Sequence, residues 1–141
     1  MKKYKLLSQL LTEAEVMNQV PWVLHHHADP RNTGAHYDLR ILDPYKKNEL
    51  ISFAIPASYD LHKKVPDKMA IYRTRPHPEH WLKKETYRIK VLEEGEAAVL
   101  VSSPKYFKLD FKGKRRLKGI YILFKKSGTK RNDVWMMVKT K

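Results

Sequence analysis

Tyr106-Phe107-Lys108-Leu109-Asp110-Phe111 alternates between apolar and charged residues. In an extended strand successive side chains point to opposite faces, so Phe107, Leu109 and Phe111 share one side while Lys108 and Asp110 share the other. Phe107 is therefore read as a core residue, not as a platform for stacking bases. Further segments read as short strands in the same way: Trp22–His27, Ala35–Leu42, Leu50–Pro56, Lys68–Arg75, Tyr87–Leu92, Ala97–Ser103, Ile120–Lys125 and Val134–Lys139. All are rich in Val, Ile, Tyr, Phe or Trp. Turn-forming residues separate them, among them Asp29-Pro30, Asn32-Thr33-Gly34, Asp43-Pro44, Ser103-Pro104, Lys112-Gly113 and Ser127-Gly128. The acidic cluster Glu93, Glu94 and Glu96 around Gly95 reads as one more turn. Many short strands at this spacing give a mainly β fold, an antiparallel barrel or sandwich with one or two flanking helices.

Outward from the strands, residues 1–21 read as a helical segment. Thr12 followed by Glu15 is a capping box ahead of an Ala/Val/Met stretch, and the helix is expected to end before Pro21. Residues 22–141 form the β domain, and with 141 residues and no linker the chain is one domain. It has no cysteine, which excludes disulfides, thiolate zinc sites and cysteine nucleophiles, so any metal must be held by His, Asp or Glu. No apolar run has the length of a membrane span and the start lacks a secretory apolar region; a cytoplasmic, soluble protein is the simplest reading. Lys and Arg number 29 against 15 Asp and Glu, a formal net charge of +14. A surface of that charge attracts polyanions, of which nucleic acid is the commonest; a membrane partner is not expected.

The cations concentrate in two places. Lys105, Lys108, Lys112, Lys114, Arg115, Arg116 and Lys118 form one cluster, and Lys125, Lys126, Lys130 and Arg131 the other. Lys112, Lys114, Arg115, Arg116 and Lys118 are the candidates for tracking a phosphodiester backbone; the alternative is a solvated edge that discourages strand pairing.

Candidate chemistry lies in His25-His26-His27-Ala28-Asp29 and His36-Tyr37-Asp38-Leu39-Arg40. On a strand His36, Asp38 and Arg40 share one face, opposite Tyr37, Leu39 and Ile41. Imidazole and carboxylate suit a divalent ion, and the planar guanidinium fork suits phosphate oxygens. A third ligand is available from the preceding strand, where His25 and His27 share a face and His26 takes the other. The alternative is that the row is only the solvated side of an amphipathic strand. His62 and His80 stand alone and read as surface residues. There is no Gly-rich phosphate loop and no nucleotidyl-transfer lysine motif, so neither ATP use nor a ligase reaction is expected.

These two strands resemble the opening of the 3′-phosphoesterase domain family of bacterial and archaeal end-joining DNA ligase D. That family begins with an aromatic–aliphatic strand ending in histidine, followed by His-Tyr-Asp-Leu/Phe-Arg. Leu50–Pro56, Asp67-Lys68 with His77-Pro78, Arg116–Gly119 and Val134–Lys139 resemble its later motifs in order, so the likeness spans roughly residues 22–139. The resemblance implies a small β-barrel that removes a 3′-phosphate or a 3′-terminal ribonucleoside from DNA or RNA, leaving a 3′-hydroxyl for repair. It implies a divalent metal, typically Mn2+ with Zn2+ or Co2+ as alternatives, held by His27, His36 and Asp38, with His26 as the other reading for the first ligand. It gives Arg40 the scissile phosphate and has His77 hold or protonate a phosphate oxygen. The partners implied are primer–template 3′ ends, with a separate DNA ligase or polymerase beside them. Two positions depart from the family: Arg75 stands where it usually has glutamate, and Trp81 where it has tyrosine. They leave open a second reading, a nucleic-acid-end-binding module or basic subunit of a nucleoprotein assembly with weak or no catalysis.

Overall fold

In the computed structural model of the protein, residues 19–28, 35–126 and 133–140 are described. Eight strands run through them: β1 (Gln19–His27), β2 (His36–Leu42), β3 (Glu49–Pro56), β4 (Lys68–Pro78), β5 (Ile89–Ser103), β6 (Tyr106–Lys112), β7 (Lys118–Lys125) and β8 (Val134–Lys139). They close an antiparallel barrel in the order β1-β2-β3-β4-β8-β7-β6-β5. Closure pairs every strand on both sides and leaves no long free edge. The interior is apolar, with alternate residues of each strand turned inward. On β6 those are Phe107, Leu109 and Phe111, as the alternation predicts. Aromatic rings fill the centre: Phe53 meets Trp135 edge-on at 5.3 Å, Phe107 stacks on Trp135 at 5.6 Å, and Trp22 meets Phe111 edge-on at 5.6 Å.

Three features differ from the sequence reading. Gln19, Val20 and Pro21 belong to β1, with Val20 in the core, so the helical segment does not extend to residue 21. The capping box lies outside the described residues, and among these the one helical element is a 3₁₀ turn at Glu79–Lys83. The segments Tyr87–Leu92 and Ala97–Ser103 are not two strands with an acidic turn between them. Ile89–Ser103 is one strand, and Gly95 lies inside it opposite Trp22. A Cβ on Gly95 would sit 3.0 Å from Trp22 Cζ2, so the glycine admits the indole to the core and does not make a turn. Finally, β4 runs on to Pro78 and carries His77. It pairs with β8 only as far as Tyr72, so Pro76 and Pro78 fall on a stretch with one free side.

One end of the barrel is stoppered by the connection at residues 57–67, which buries Leu61 and Val65, and by the β6–β7 turn, which buries Leu117. Glu93 ties these pieces down. Its carboxylate accepts the Arg116 and Leu117 N–H groups at 2.8 and 3.1 Å, and the Arg116 guanidinium stands 3.6 Å away. Arg116 in turn donates to the carbonyls of His62 and Leu92, and its own carbonyl accepts from Val65.

Candidate metal centre

The antiparallel register of β1 and β2 sets His27 opposite His36, His25 opposite Asp38 and Val23 opposite Arg40. Trp22, Leu24, Tyr37, Leu39 and Ile41 take the core side of these strands. The polar row is thereby placed on the outside of the barrel. It is nevertheless covered: His25 is 0% exposed, Arg40 2% and Asp38 6%. The cover is the 3₁₀ turn, which packs over β1 and β3. Its Trp81 ring lies over the Arg40 guanidinium at 4.9 Å, with the Lys84 ammonium also over the ring at 3.9 Å. Only His27 and His36, toward the end of the row, keep partial access to solvent.

Three groups converge on one carboxylate oxygen. Asp38 Oδ2 lies 3.5 Å from His27 Nδ1, 3.3 Å from His36 Nε2 and 3.5 Å from Arg40 Nη2. One ligand atom from each of His27, His36 and Asp38 fits within 4.8 Å of the others. Two imidazoles and one carboxylate form a donor set suited to Mn2+, Zn2+ or Co2+, with coordination positions left over. Burial alone would raise the Asp38 carboxyl. The hydrogen bond from His36 and the charges of Arg40, His36 and His27 outweigh it and hold the group below the usual carboxylate range.

His25 completes the row from beneath. Its Nδ1 is 3.0 Å from Arg40 Nη1. Arginine only donates, so His25 Nδ1 accepts, and the ring is neutral with its proton on Nε2. Burial, then the Arg40 charge, pulls its pKa down to about 4, with Asp38 and the Lys84 backbone acting weakly the other way. No bond of ordinary geometry reaches His25 Nε2.

His77 joins the site from β4 through the pairing of Leu50 with His77. Its Nδ1 is 2.9 Å from Ser52 Oγ and its ring lies 4.8 Å from that of Trp81. Ser52 Oγ also lies 3.4 Å from the Leu50 carbonyl. Burial, followed by the Arg40 charge, lowers the His77 pKa.

His27, His36, Asp38, Arg40 and His77 thus share one outer face. The resemblance gives Arg40 a phosphate contact. In this structure its terminal nitrogens are engaged by His25 and Asp38 and its face is covered by Trp81, so it braces the carboxylate. His26, the other reading for the first ligand, points to the opposite side of β1 and packs on Tyr37. Of the five backbone-tracking candidates, Lys114, Arg115 and Lys118 are exposed, and Lys112 pairs with Asp110 at 2.7 Å. Arg116 is occupied in holding the barrel end.

The sequence reading does not name Ser52, names His25 only as sharing a face with His27, and names Trp81 as the position where the family has tyrosine but not as a cover over Arg40. Alternation had already placed His25 beside His27. Ser52 and Trp81 enter through strand register and chain reversal, which leave no local pattern. The chain matches no protein-family model and no curated protein.

Proposed function

We propose that this protein is a metal-dependent phosphoesterase acting at the 3′ ends of nucleic acid, removing a 3′-phosphate or a 3′-terminal ribonucleoside. One observation carries the reading: His27, His36, Asp38, Arg40 and His77, remote in sequence, converge on one outer face of the barrel. A divalent ion held by His27, His36 and Asp38 would supply Lewis-acid polarisation and charge neutralisation at a phosphate oxygen. Arg40 holds the Asp38 carboxylate toward the two histidines and adds fixed positive charge in a site of low water content. His77, whose pKa burial and the Arg40 charge lower, is a proton acceptor for an attacking water.

A labelled primer–template bearing a 3′-phosphate, and a second bearing a 3′-terminal ribonucleotide, tests the reading with Mn2+ present and with EDTA and His36→Ala as controls. The expected result is metal-dependent formation of a 3′-hydroxyl that His36→Ala does not produce. Binding of the primer without processing under any divalent ion overturns catalysis. It leaves the end-binding module, a reading favoured by the closure of Trp81 over Arg40.

A further inference from the structure

A second pair of histidines meets at the stoppered end of the barrel. His26 and His62 have ring centres 5.1 Å apart, tilted by 58°. Tyr37 lies against both, at 5.3 and 5.8 Å. Alternation turns His26 away from His27, so this pair stands on the other side of β1 from the candidate metal centre. We propose that His26 and His62 form a separate clasp for a borderline divalent transition ion of the Zn2+, Ni2+ and Cu2+ class.

The spacing supports it. A metal–nitrogen bond of 2.0–2.1 Å, added to the distance from ring nitrogen to ring centre, puts two imidazoles on one tetrahedral ion with centres roughly 5 Å apart. His27 and His36, within the other group, are 4.7 Å apart by the same measure. His62 is also held in place, although its side chain is exposed. Its N–H donates to Asp60 Oδ1 at 3.0 Å, and its carbonyl accepts from Arg116 Nε at 2.8 Å. Arg116 is itself held by Glu93 and the Leu92 carbonyl. A side chain on a backbone fixed at both sides loses less freedom on ligation than one on a loose loop. Both residues reach solvent, His26 half-buried and His62 exposed, so water can complete the coordination. The ligand type sets the metal class. An imidazole pair favours Zn2+, Ni2+ or Cu2+ over Mn2+ or Mg2+. The pair also joins β1 to the 57–67 connection, so an ion here ties two parts of the barrel end together.

The clasp stands independently of the phosphoesterase reading, and zinc binding to the purified full chain tests it. Titration calorimetry is expected to give two Zn2+ per chain for the wild type, and one for His62→Ala and for His62→Gln. His36→Ala should also bind one, and the His36→Ala/His62→Ala pair none. In EDTA the His62 variants should melt with the wild type. Added Zn2+ should raise the melting temperature of His36→Ala and leave the double variant unmoved. One ion in the wild type with no change in His62→Ala overturns the clasp, as does a second ion that survives both His62 substitutions.

Discussion

At Asp38 three cationic or protonatable side chains face a single oxygen, and the burial of that oxygen decides what each is worth. An exposed pair at these distances would contribute little, but Arg40 and Asp38 are both buried, with the Trp81 ring over Arg40. Removing one partner of a buried pair leaves the other charge uncompensated, at a cost of about 3 kcal/mol. Arg40→Ala is expected to lose roughly that much in urea denaturation at pH 7, and more than Arg75→Ala, whose side chain is exposed. A loss within about 0.5 kcal/mol of that control would show that Arg40 does not brace the carboxylate. His25 makes a pH-dependent statement. Its folded pKa of about 4 lies below the ordinary 6.5, so the unfolded chain takes up the proton first as pH falls. Stability from this group is therefore present above about pH 6.5 and is lost down to about pH 4, by on the order of 3 kcal/mol. His25→Gln can still accept from Arg40 but cannot titrate, so its stability curve should be flatter than the wild type's between those values. Parallel curves would sink the assignment of a buried neutral His25. The shared faces of His25 with His27, and of His36 with Asp38 and Arg40, follow from period-two alternation alone. Their contact with Ser52 and Trp81 depends on which strands pair and where the chain turns back, and no local pattern encodes either.

Among the elements, β5 shows where local chemistry misleads. Glu93-Glu94-Gly95-Glu96 combines charge with glycine, which in isolation reads as a turn. The strand continues because Gly95 makes room for Trp22 and because Glu93 finds two backbone donors across the barrel end. Both causes lie in residues distant along the chain. Each makes a prediction. Gly95→Val forces a side chain against a fully packed indole, with Trp22 also bonded through Nε1 to the Glu96 carbonyl, and should destabilise by about 2 kcal/mol. Glu93→Ala strips the acceptors from the Arg116 and Leu117 N–H groups and should cost about 2–3 kcal/mol. Glu94 and Glu96 are exposed, so their alanine variants should stay within about 0.5 kcal/mol of wild type in the same denaturant series. If all three glutamates behaved alike, the anchoring of the barrel end would have to be sought elsewhere. The strands with a clean alternation, such as β6, were legible because each carries its inside and outside in its own sequence.

For the molecule as a whole, the closed order of strands was the least readable part. That β8 inserts between β4 and β7, and that β5 returns to β1, follows from packing the inward aromatics into one core. Closure also decides where the charge goes. With the interior filled by apolar side chains, the excess positive charge of the described residues lies on the outer face and at the barrel ends. Its use on a phosphate backbone is testable residue by residue, because the basic stretch divides by environment. Lys114 and Lys118 are exposed, and no described ion pair engages them, whereas the Arg116 donors hold the barrel end. If nucleic acid follows this surface, affinity for a short duplex should fall linearly with salt on logarithmic axes. Lys114→Ala with Lys118→Ala should then flatten the slope by about 0.7 to 0.9 for each phosphate no longer neutralised, without changing the melting temperature. Arg116→Ala should do the reverse, lowering the melting temperature by removing its bonds to His62 and Leu92 while leaving the slope of the folded protein close to wild type. An unchanged slope in the double lysine variant would remove the β6–β7 turn from the binding path. The excess charge would then serve nucleic acid through another part of the surface, or act only to keep the barrels apart in solution.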